Sequence, residues 1–213
     1  MGVVSEQMRS YYDQRAGQYD DWWLGTGRFA GRERPAWLDE VERLVQVVAA
    51  LPPARVLDVA CGTGFLTTHL RGTVVGLDQS AAMLALASAR APQARFVQGD
   101  AVPLPFPDQG FDRILASHFY GHLLAGERDA FVAEARRVTP ELVIVDSAER
   151  ADHDPEEWQT RILDDGSRHR VYKRFFTPRT LTAELGPIEV LHEGRWFVVA
   201  VTRGPAAATA MPG

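Results

Sequence analysis

The sequence is short of several features that would each place a protein in a distinct class. Its 213 residues include one cysteine, Cys61, which excludes an intrachain disulfide and a cysteine-based zinc cluster. No apolar run approaches the roughly 18 residues of a membrane span, and no signal peptide is evident at the amino terminus. A formal charge of −5 argues against nucleic acid or an anionic membrane as a partner. We therefore expect a cytoplasmic protein without a membrane span, a nucleic-acid partner or a metal.

What is present is the composition of an ordinary globular core. Hydrophobic residues make up 46% of the chain, which argues against extensive disorder. The length suits one domain, with room for a small added subdomain.

The most informative stretch is residues 56–64, a short apolar run that ends in Asp58 and continues into small residues, including Gly62 and Gly64. Glycine lacks a Cβ, so it takes positive φ readily and lets backbone approach a ligand closely. Residues 65–70 have helical spacing, which predicts a strand, a tight turn and a helix N-terminus in succession. The free N–H groups of such a helix would face an anionic part of a ligand at the carboxyl end of a parallel strand.

Apolar strands and amphipathic helices alternate along the rest of the chain. This order indicates an α/β fold, a doubly wound Rossmann-like parallel sheet covered by helices on both faces. After the opening strand, the predicted strands cover residues 73–78, 95–100, 111–117, 142–146, 188–191 and 196–201. The predicted helices cover residues 36–50, 81–90, 126–138 and 177–185. The last two strands have the spacing of a hairpin.

Three segments fall outside this pattern. Residues 5–23 hold three tyrosines and two tryptophans, and Ser5 could cap a short helix there. This segment is either an arm packed on the surface or an aromatic lid that orders over a ligand. The polar residues 149–170 are expected to form a flexible crossover or insertion. The predicted divisions are an arm at 1–34, a main domain at 35–203 with a possible substrate cover at 149–176, and a flexible tail at 204–213.

Three acidic residues, Asp58, Asp78 and Asp100, end three successive strands, and the carboxyl ends of parallel strands line one crevice. Asp78 could accept both hydroxyls of a ribose, while Asp100 and the backbone of Ala101 could meet an adenine. A dinucleotide site is disfavoured because Thr67 replaces the third glycine of G-x-G-x-x-G, and because Asp78 follows the loop too closely. The acid-x-small-x-Gly-x-Gly pattern instead suits an adenosine that carries an amino acid.

The motif at residues 58–64 resembles the first motif of class I S-adenosylmethionine-dependent methyltransferases. Further motifs of that family are matched at residues 76–84, 99–101 and 105–112. The resemblance covers roughly residues 54–146 and is strongest to the branch of the ubiquinone and menaquinone biosynthesis methyltransferases (methyltransferase type 11). The Tyr-Asp-x-Arg-Ala-x-x-Tyr-Asp pattern at residues 12–20 is also similar to that branch. The sequence departs from the family at Ala60, where many members have glycine, and at residues 137–141.

This resemblance implies a fold, a cofactor and a set of roles. The implied sheet has seven strands, mostly parallel, with the last strand antiparallel. The implied cofactor is S-adenosylmethionine, with its methionine part at the turn, its ribose on Asp78 and its adenine against Asp100 and Ala101. The predicted cofactor-binding residues are Tyr19, Asp58, Ala60, Cys61, Gly62, Gly64, Asp78, Gln79, Met83, Asp100, Ala101 and Ser117.

The fourth predicted strand runs into residues 117–122, which leave the sheet beside the expected methyl group. A sulfonium methyl is already electrophilic, so the protein mainly has to hold the acceptor in line with it. A hydroxyl or carbon acceptor must also lose a proton, and histidine is the usual base. His118, Tyr120 and His122 are therefore the candidates for substrate contact or catalysis. The alternative is that the histidines are packing residues with satisfied hydrogen bonds.

Other polar groups have simpler interpretations. Cys61 stands where a small residue is required, and residues 152–154 are expected to be a solvated loop rather than a metal site. The basic and aromatic residues 168–174 are expected to pair with Asp164, Asp165 and the acidic loop before them, with RNA binding as the alternative.

We therefore predict an S-adenosylmethionine-dependent methyltransferase, monomeric or homodimeric, that methylates O, N or activated C of a small molecule. The alternative is a protein that binds S-adenosylmethionine or S-adenosylhomocysteine without transferring a methyl group, such as a regulatory or scaffold subunit. A hydride-transferring dehydrogenase ranks third because of the glycine pattern. An open substrate chamber would favour the enzyme, and a filled chamber would favour the binding protein.

Overall fold

The computed structural model describes residues 6–203, so the predicted cap at Ser5 and the predicted tail at 204–213 lie outside the described residues. The strands are β1 (Ala54–Val59), β2 (Gly72–Asp78), β3 (Arg95–Gln98), β4 (Arg113–Ser117), β5 (Glu141–Ser147), β6 (Glu156–Ile162), β7 (Arg168–Arg174), β8 (Glu189–Glu193) and β9 (Phe197–Arg203). The α-helices are α1 (Glu6–Arg15), α2 (Asp21–Leu24), α3 (Trp37–Ala50), α4 (Ala81–Arg90), α5 (Ala125–Val138) and α6 (Pro178–Leu185). None of these helices combines the length and apolarity that crossing a membrane requires.

Seven strands form one sheet in the order β3-β2-β1-β4-β5-β9-β8. Strands β1 to β5 run parallel to their neighbours, whereas β9 runs antiparallel to β5, with Glu141 opposite Arg203 and Ser147 opposite Phe197. This arrangement confirms the predicted doubly wound sheet with its antiparallel last strand. The strand order reverses between β1 and β4, which is where such sheets open a ligand crevice.

Successive residues of each central strand face opposite helical layers, as the two-residue period of a strand requires. On β1, Val56 packs into the cluster that contains the apolar face of α3, and Leu57 packs into the cluster that contains α5 and α6. On β5, Val143 and Ile144 divide in the same way. The predicted helices at α3, α4, α5 and α6 are confirmed. Ser80 caps α4 by accepting a hydrogen bond from the Met83 N–H at 3.1 Å.

The helix predicted after β1 is wrong, because the structure has only one 3₁₀ turn there, at Thr67–His69. The reason lies in the register of the sheet. Ala54, the first residue of β1, pairs with Gly72, the first residue of β2, so the chain must travel back along the whole of β1. That path is about 20 Å for a strand of this length, and the few residues left after the turn would cover about 10 Å as α-helix.

The segment predicted to be a flexible crossover contains an antiparallel hairpin, β6–β7, which the sequence analysis missed. Its side chains alternate between exposed and partly buried positions, but both sets are largely polar, which hides the strand period. Leu163 and Val171 of the hairpin segment pack against Tyr11 of α1. The hairpin and the N-terminal segment therefore meet over the crevice of the large sheet.

Candidate active site

The carboxyl ends of the central strands open into a cavity of about 360 Å³, called the first cavity below. Its walls combine these strand ends with the N-terminal arm (residues 6–34), the segment after β4 and the β6–β7 hairpin. The predicted site residues in its walls are Tyr19, Ala60, Gly62, Asp78, Gln79, Met83, Asp100, Ala101, His118 and His122. The predicted residues that do not line it are Asp58, Cys61, Gly64, Ser117 and Tyr120.

The turn after β1 is built on left-handed backbone conformations. Ala60, Gly62 and Gly64 have φ angles of 56°, 55° and 75°, a region that glycine adopts far more easily than alanine. The Gly62 N–H donates to Asp78 Oδ2 at 2.9 Å and so fixes the turn against the end of β2. A Cβ on Gly64 would lie 3.1 Å from the Cα of Ala87, so Gly64 allows the turn to pack closely on α4 rather than to contact a ligand.

Two buried carboxylates stand at the base of this turn. Asp78 Oδ1 accepts a hydrogen bond from the Ser80 N–H at 2.9 Å, and burial raises the pKa of Asp78 to about 6 in spite of its backbone donors. Asp58 Oδ2 accepts one from the Thr67 hydroxyl at 2.6 Å, while Asp58 Oδ1 is buried with no hydrogen-bond partner among the described residues. Burial raises the pKa of Asp58 to about 7, and the charge of Asp78 adds to this shift. Such a pair favours a ligand that brings hydrogen-bond donors or positive charge.

The opposite wall of the first cavity also carries free acceptors. Asp100 Oδ1 and Gln79 Oε1 are buried and have no hydrogen-bond partner within residues 6–203. The Arg9 guanidinium lies 3.5 Å from Asp100 Oδ1, which is a long ion pair rather than a hydrogen bond. Ala101 and Met83 supply buried apolar surface beside these acceptors. This combination suits a flat heterocycle with an amino group.

Two acidic residues fasten the N-terminal arm to the turn after β1 and to the neighbouring helix α4. Asp13 Oδ1 accepts from the Ser80 hydroxyl at 2.5 Å, at the start of α4. Asp20 accepts from the Thr63 hydroxyl at 2.6 Å and pairs with Arg90 near the end of α4. The arm is therefore docked across the turn rather than packed elsewhere on the domain.

Each of these acids follows a tyrosine, and the two tyrosines line the cavity. Tyr12 and Tyr19 are both in the walls of the first cavity, and the Tyr19 ring comes within 3.6 Å of where a Cβ on Gly62 would stand. Burial raises the pKa of Tyr19 to about 12, so its hydroxyl stays protonated and can donate. In each of the two Tyr-Asp pairs, the aspartate therefore docks the arm and the tyrosine ring forms part of the cavity wall.

His118 directly follows β4 and has a left-handed conformation, with a φ of 49°. Its ring is buried edge-on against Trp22 and Trp23, at centroid distances of 4.7 and 5.0 Å. Its Nδ1 lies 3.8 Å from Asp146 Oδ1, and its Nε2 is buried without a hydrogen-bond partner among the described residues. Burial lowers the pKa of His118 to about 3, with Asp146 opposing the shift and Lys173 adding to it, so the imidazole is neutral at pH 7.

His122 and Tyr120 have different environments. His122 Nδ1 lies 2.7 Å from the Tyr172 carbonyl oxygen, so Nδ1–H donates and Nε2 remains an acceptor. Burial, with the charge of Lys173, lowers the pKa of His122 well below its usual value. Tyr120 is a core residue whose hydroxyl donates to Glu184 at 2.8 Å, and it does not line the first cavity. Its predicted contact with substrate is therefore corrected.

Three other predictions concern reactive or charged groups. Burial raises the pKa of the Cys61 thiol well above its usual value, so this residue is a neutral packing group. Ser117 is half-buried at the end of β4 and does not line the first cavity. Within residues 6–203, no group of three or more His, Cys, Asp and Glu side chains is placed to hold a metal ion.

Among the described residues, no cation of β7 forms an ion pair with Asp164 or Asp165. Lys173 pairs with the buried Asp146 at 2.5 Å, and Arg174 pairs with Glu156 at 3.1 Å across the hairpin. Asp164 is instead the partner of Arg28 from the arm, at 3.5 Å. The β6 strand of the hairpin supplies Glu156 as the partner of Arg174, and the fold places Asp146 of β5 beside Lys173.

A larger cavity, about 760 Å³, adjoins the first and is called the second cavity. The two share the side chains of Tyr12, Tyr19, His118 and His122 in their walls. Sequence reasoning missed this cavity, because its walls come from segments that it assigned to loops. The available signal was three arginines within seven residues, at 28–34.

Comparisons with known proteins fit this geometry. Residues 56–141 match the family described as a methyltransferase domain. The demethylmenaquinone methyltransferase of Renibacterium salmoninarum is 40% identical over 99 residues, which are 45% of this chain and 41% of that protein. The enzyme of the same name from Thermotoga maritima is 35% identical over 102 residues, 46% of this chain and 44% of that protein. The chain therefore spans less than half the length of these two curated relatives.

The solved structure of DhpI with SAH is similar over nearly the whole chain. It has a TM-score of 0.73 and 27% identity, and the match covers 96% of this chain and 98% of DhpI. A second DhpI structure contains SAM and HEP and has a TM-score of 0.70. The chain resembles the class I S-adenosylmethionine-dependent methyltransferases, in sequence over residues 56–141 and in fold over nearly its whole length.

The residues of the first cavity fit S-adenosylmethionine as a cofactor. In the walls of the first cavity, Gln79 Oε1 and Asp100 Oδ1 are buried acceptors without partners in the described part of the chain, and an adenosyl amino acid carries donors for both. Asp78 presents a carboxylate at the cavity wall, an acceptor of the kind that ribose hydroxyls need. The glycine at position 62 keeps the backbone wall free of side chain where a methionine part would lie.

Proposed function

We propose that this protein transfers a methyl group from S-adenosylmethionine to a small molecule bound in the second cavity. The single observation that carries the proposal is that the two cavities adjoin and share His118, His122 and two tyrosines as walls. A cofactor in the first cavity and an acceptor in the second would then meet at these side chains. The open second cavity favours an enzyme over the alternative, a protein that binds the cofactor without transferring its methyl group.

Asp78, Asp100 and Gln79 would hold the adenosine, and the turn at Ala60 and Gly62 would hold the methionine part, with Asp58 buried beneath it. When bound, S-adenosylmethionine supplies an electrophilic methyl carbon, whose bond to sulfur breaks as the bond to the acceptor forms, with the electron pair staying on sulfur. The protein's contribution is mainly to align the acceptor and exclude water, which can supply up to about 7–11 kcal/mol of the barrier.

His118 and His122 are weak bases, because burial lowers the pKa of both imidazoles, so each protonated ring would be a strong acid that gives up its proton readily. We propose that they position the acceptor, with His122 Nε2 accepting a hydrogen bond from it. An acceptor that is already deprotonated, or that loses its proton readily, suits this environment best.

We propose that the arm at 1–34 acts as a lid, as far as its described residues 6–34 reach, and that residues 149–176 act as a substrate cover. The support is that both segments contribute walls to both cavities. The names of the curated relatives make quinone-type acceptors one class to assay. The cytoplasmic location and the monomeric or homodimeric state remain predictions.

Calorimetry with S-adenosylhomocysteine tests the cofactor site. Asp78→Asn keeps the side-chain shape but removes the charge that would bind the ribose, so we expect affinity to fall about tenfold to a hundredfold. The exposed Asp39→Asn on α3 is the control with the same chemical change and should bind like the wild type. No heat from the wild type, or equal affinity in Asp78→Asn, contradicts the proposal.

A screen of methyl transfer to phenols, quinols, amines, sugars and organic acids, read by mass spectrometry, tests the enzymatic half. A product dependent on S-adenosylmethionine supports the enzyme. Tight cofactor binding with no product from any class supports the binding-protein alternative.

A further inference from the structure

The walls of the second cavity are strongly basic in a chain whose overall charge is negative. Seven of its wall residues carry a positive charge: Arg15, Arg28, Arg32, Arg34, Arg150, Arg161 and Lys173. Glu157 is the one acidic residue among the walls that the structure describes. With a formal charge of −5 for the whole chain, this concentration of cations is a local feature of the cavity.

Three of these cations are neutralised by carboxylates. Lys173 pairs with Asp146, Arg150 lies 3.0 Å from Asp152, and Arg28 lies 3.5 Å from Asp164. The other four cations have no carboxylate within ion-pair distance in the described part of the chain: Arg15, Arg32, Arg34 and Arg161.

Neutral groups hold three of these arginines in place. Arg161 donates to Gln159 Oε1 from Nε at 3.1 Å and from Nη2 at 2.6 Å. Arg15, which is 9% exposed, donates to the Tyr11 hydroxyl at 3.1 Å. Arg34 lies 3.9 Å over the ring of Trp37. Amide, hydroxyl and aromatic partners orient a guanidinium but leave its charge uncompensated.

The uncompensated charges act on one another across the cavity. Arg32 stands at the exposed rim, where partial desolvation lowers its pKa, and the charges of Arg161 and Arg28 lower it further. Arg161 belongs to β6 of the hairpin, whereas Arg28 and Arg32 belong to the arm, so cations from separate elements converge. Buried arginines normally meet an anion, and guanidinium geometry matches the paired oxygens of phosphoryl and carboxylate groups.

We infer that the second cavity binds a small acceptor through a phosphoryl or carboxylate group, held by Arg161 together with Arg15, Arg32 and Arg34. The inference rests on the proposed function, since it names the class of molecule that the methyltransferase accepts. A purely apolar quinone ring would leave these charges unpaired. An acceptor with an oxyanion neutralises them and is held beside the side chains that the two cavities share.

Calorimetry on protein saturated with S-adenosylhomocysteine tests the inference, using phenyl phosphate, benzoate and the neutral benzyl alcohol as probes. We expect saturable binding of phenyl phosphate, benzoate or both, and much weaker binding of benzyl alcohol. Binding of only one of the two anions tells a phosphoryl site from a carboxylate site. Benzyl alcohol binding as tightly as the anions, or no binding of either anion, overturns the inference.

Variants locate the bound anion. Arg161→Gln and Arg32→Gln should each weaken anion binding about tenfold or more, while leaving S-adenosylhomocysteine affinity unchanged. Arg32 stands at the exposed rim without a hydrogen-bond partner in the described structure, so its variant should fold even if Arg161→Gln does not. Arg95→Gln on β3 makes the same charge change outside both cavities and should alter neither affinity. Equal anion affinity in all three variants overturns the inference.

The titration with S-adenosylhomocysteine and the titrations with the anions test different claims, so a negative result in one is distinguishable from a negative result in the other. Loss of S-adenosylhomocysteine binding by the wild type contradicts the proposed function. Intact binding of S-adenosylhomocysteine with no effect of Arg161 or Arg32 on the anion contradicts only the inference about the acceptor.

Discussion

Asp58→Asn provides a sharp test of the electrostatics beneath the cofactor site. Asp58 is buried in β1, accepts one hydrogen bond from Thr67 and has one oxygen without a partner among the described residues. Without a ligand, its negative charge is therefore poorly compensated. Removing that charge should stabilise the ligand-free protein at alkaline pH, while it weakens cofactor binding.

The magnitude follows from the pKa. Burial raises the pKa of Asp58 from an ordinary value of 3.8 to about 7. Between these values the folded protein holds a proton that the unfolded chain has lost, so the contribution of Asp58 to the unfolding free energy falls as pH rises. Each pKa unit is worth about 1.4 kcal/mol, so this contribution falls by about 2–3 kcal/mol from pH 5 to pH 8.

His118 acts in the opposite direction. Burial lowers its pKa from 6.5 to about 3, so between these pH values the unfolded chain binds a proton that the folded protein does not bind. Its contribution to stability is complete above about pH 6.5 and is lost as pH falls toward 3. In the wild type the slopes of Asp58 and His118 nearly cancel between about pH 4 and pH 6. Asp58→Asn should therefore expose a loss of stability toward acid pH.

The assay is urea denaturation of ligand-free wild type and Asp58→Asn at pH 5 and pH 8. We expect the variant to gain about 2–3 kcal/mol relative to the wild type on going from pH 5 to pH 8. A constant offset from the altered contact with Thr67 cancels in this comparison. The exposed Asp39→Asn should show no such change. A stability difference between Asp58→Asn and wild type that does not vary with pH would refute the reasoning.

Three further substitutions test the turn, the arm and the hairpin contact. Ala60→Gly should raise the unfolding free energy by about 0.5–1 kcal/mol in urea denaturation, because it relieves a left-handed alanine at a small cost in unfolded-state entropy; a decrease would contradict this. Asp20→Asn removes the charge that accepts from Thr63 and pairs with Arg90, so limited proteolysis of the arm should speed up about fivefold or more, whereas unchanged cleavage would mean that these contacts do not dock it. A Cβ on Gly121 would lie 2.6 Å from a carbonyl oxygen of β7, so Gly121→Ala should cost about 1–3 kcal/mol in urea denaturation, and full stability would show that the hairpin shifts freely.

The sequence predicted those parts of the structure that depend on short-range patterns. Ser80 and the apolar spacing after it fix α4, and acids at the ends of parallel strands place Asp78 and Asp100 in one cavity wall because parallel topology brings strand ends together. The helix predicted after β1 failed because its length is set by the pairing of Ala54 with Gly72, which local propensity does not contain.

The second cavity could not be predicted for a related reason. Its cations come from α1, the loop at residues 28–34, the hairpin and the segment after β5, so no single window of sequence holds the cluster. Tyr120 is the opposite case, a residue that is close in sequence to the cavity walls but does not reach them. It lies between two histidines that line both cavities, but the 3₁₀ turn at Tyr120–His122 rotates its ring into the core.

The arm links the two halves of the site. Its acids, Asp13 and Asp20, hold it on the turn and on α4, which are elements of the cofactor cavity. The tyrosines beside those acids line both cavities, and the arginines at residues 28–34 line the second. Docking of one segment therefore completes the wall of the cofactor cavity and assembles part of the cationic wall of its neighbour. Because the same contacts serve both cavities, an acceptor site of this charge depends on the arm being docked, and free energy that stabilises the docked arm also favours binding of the acceptor.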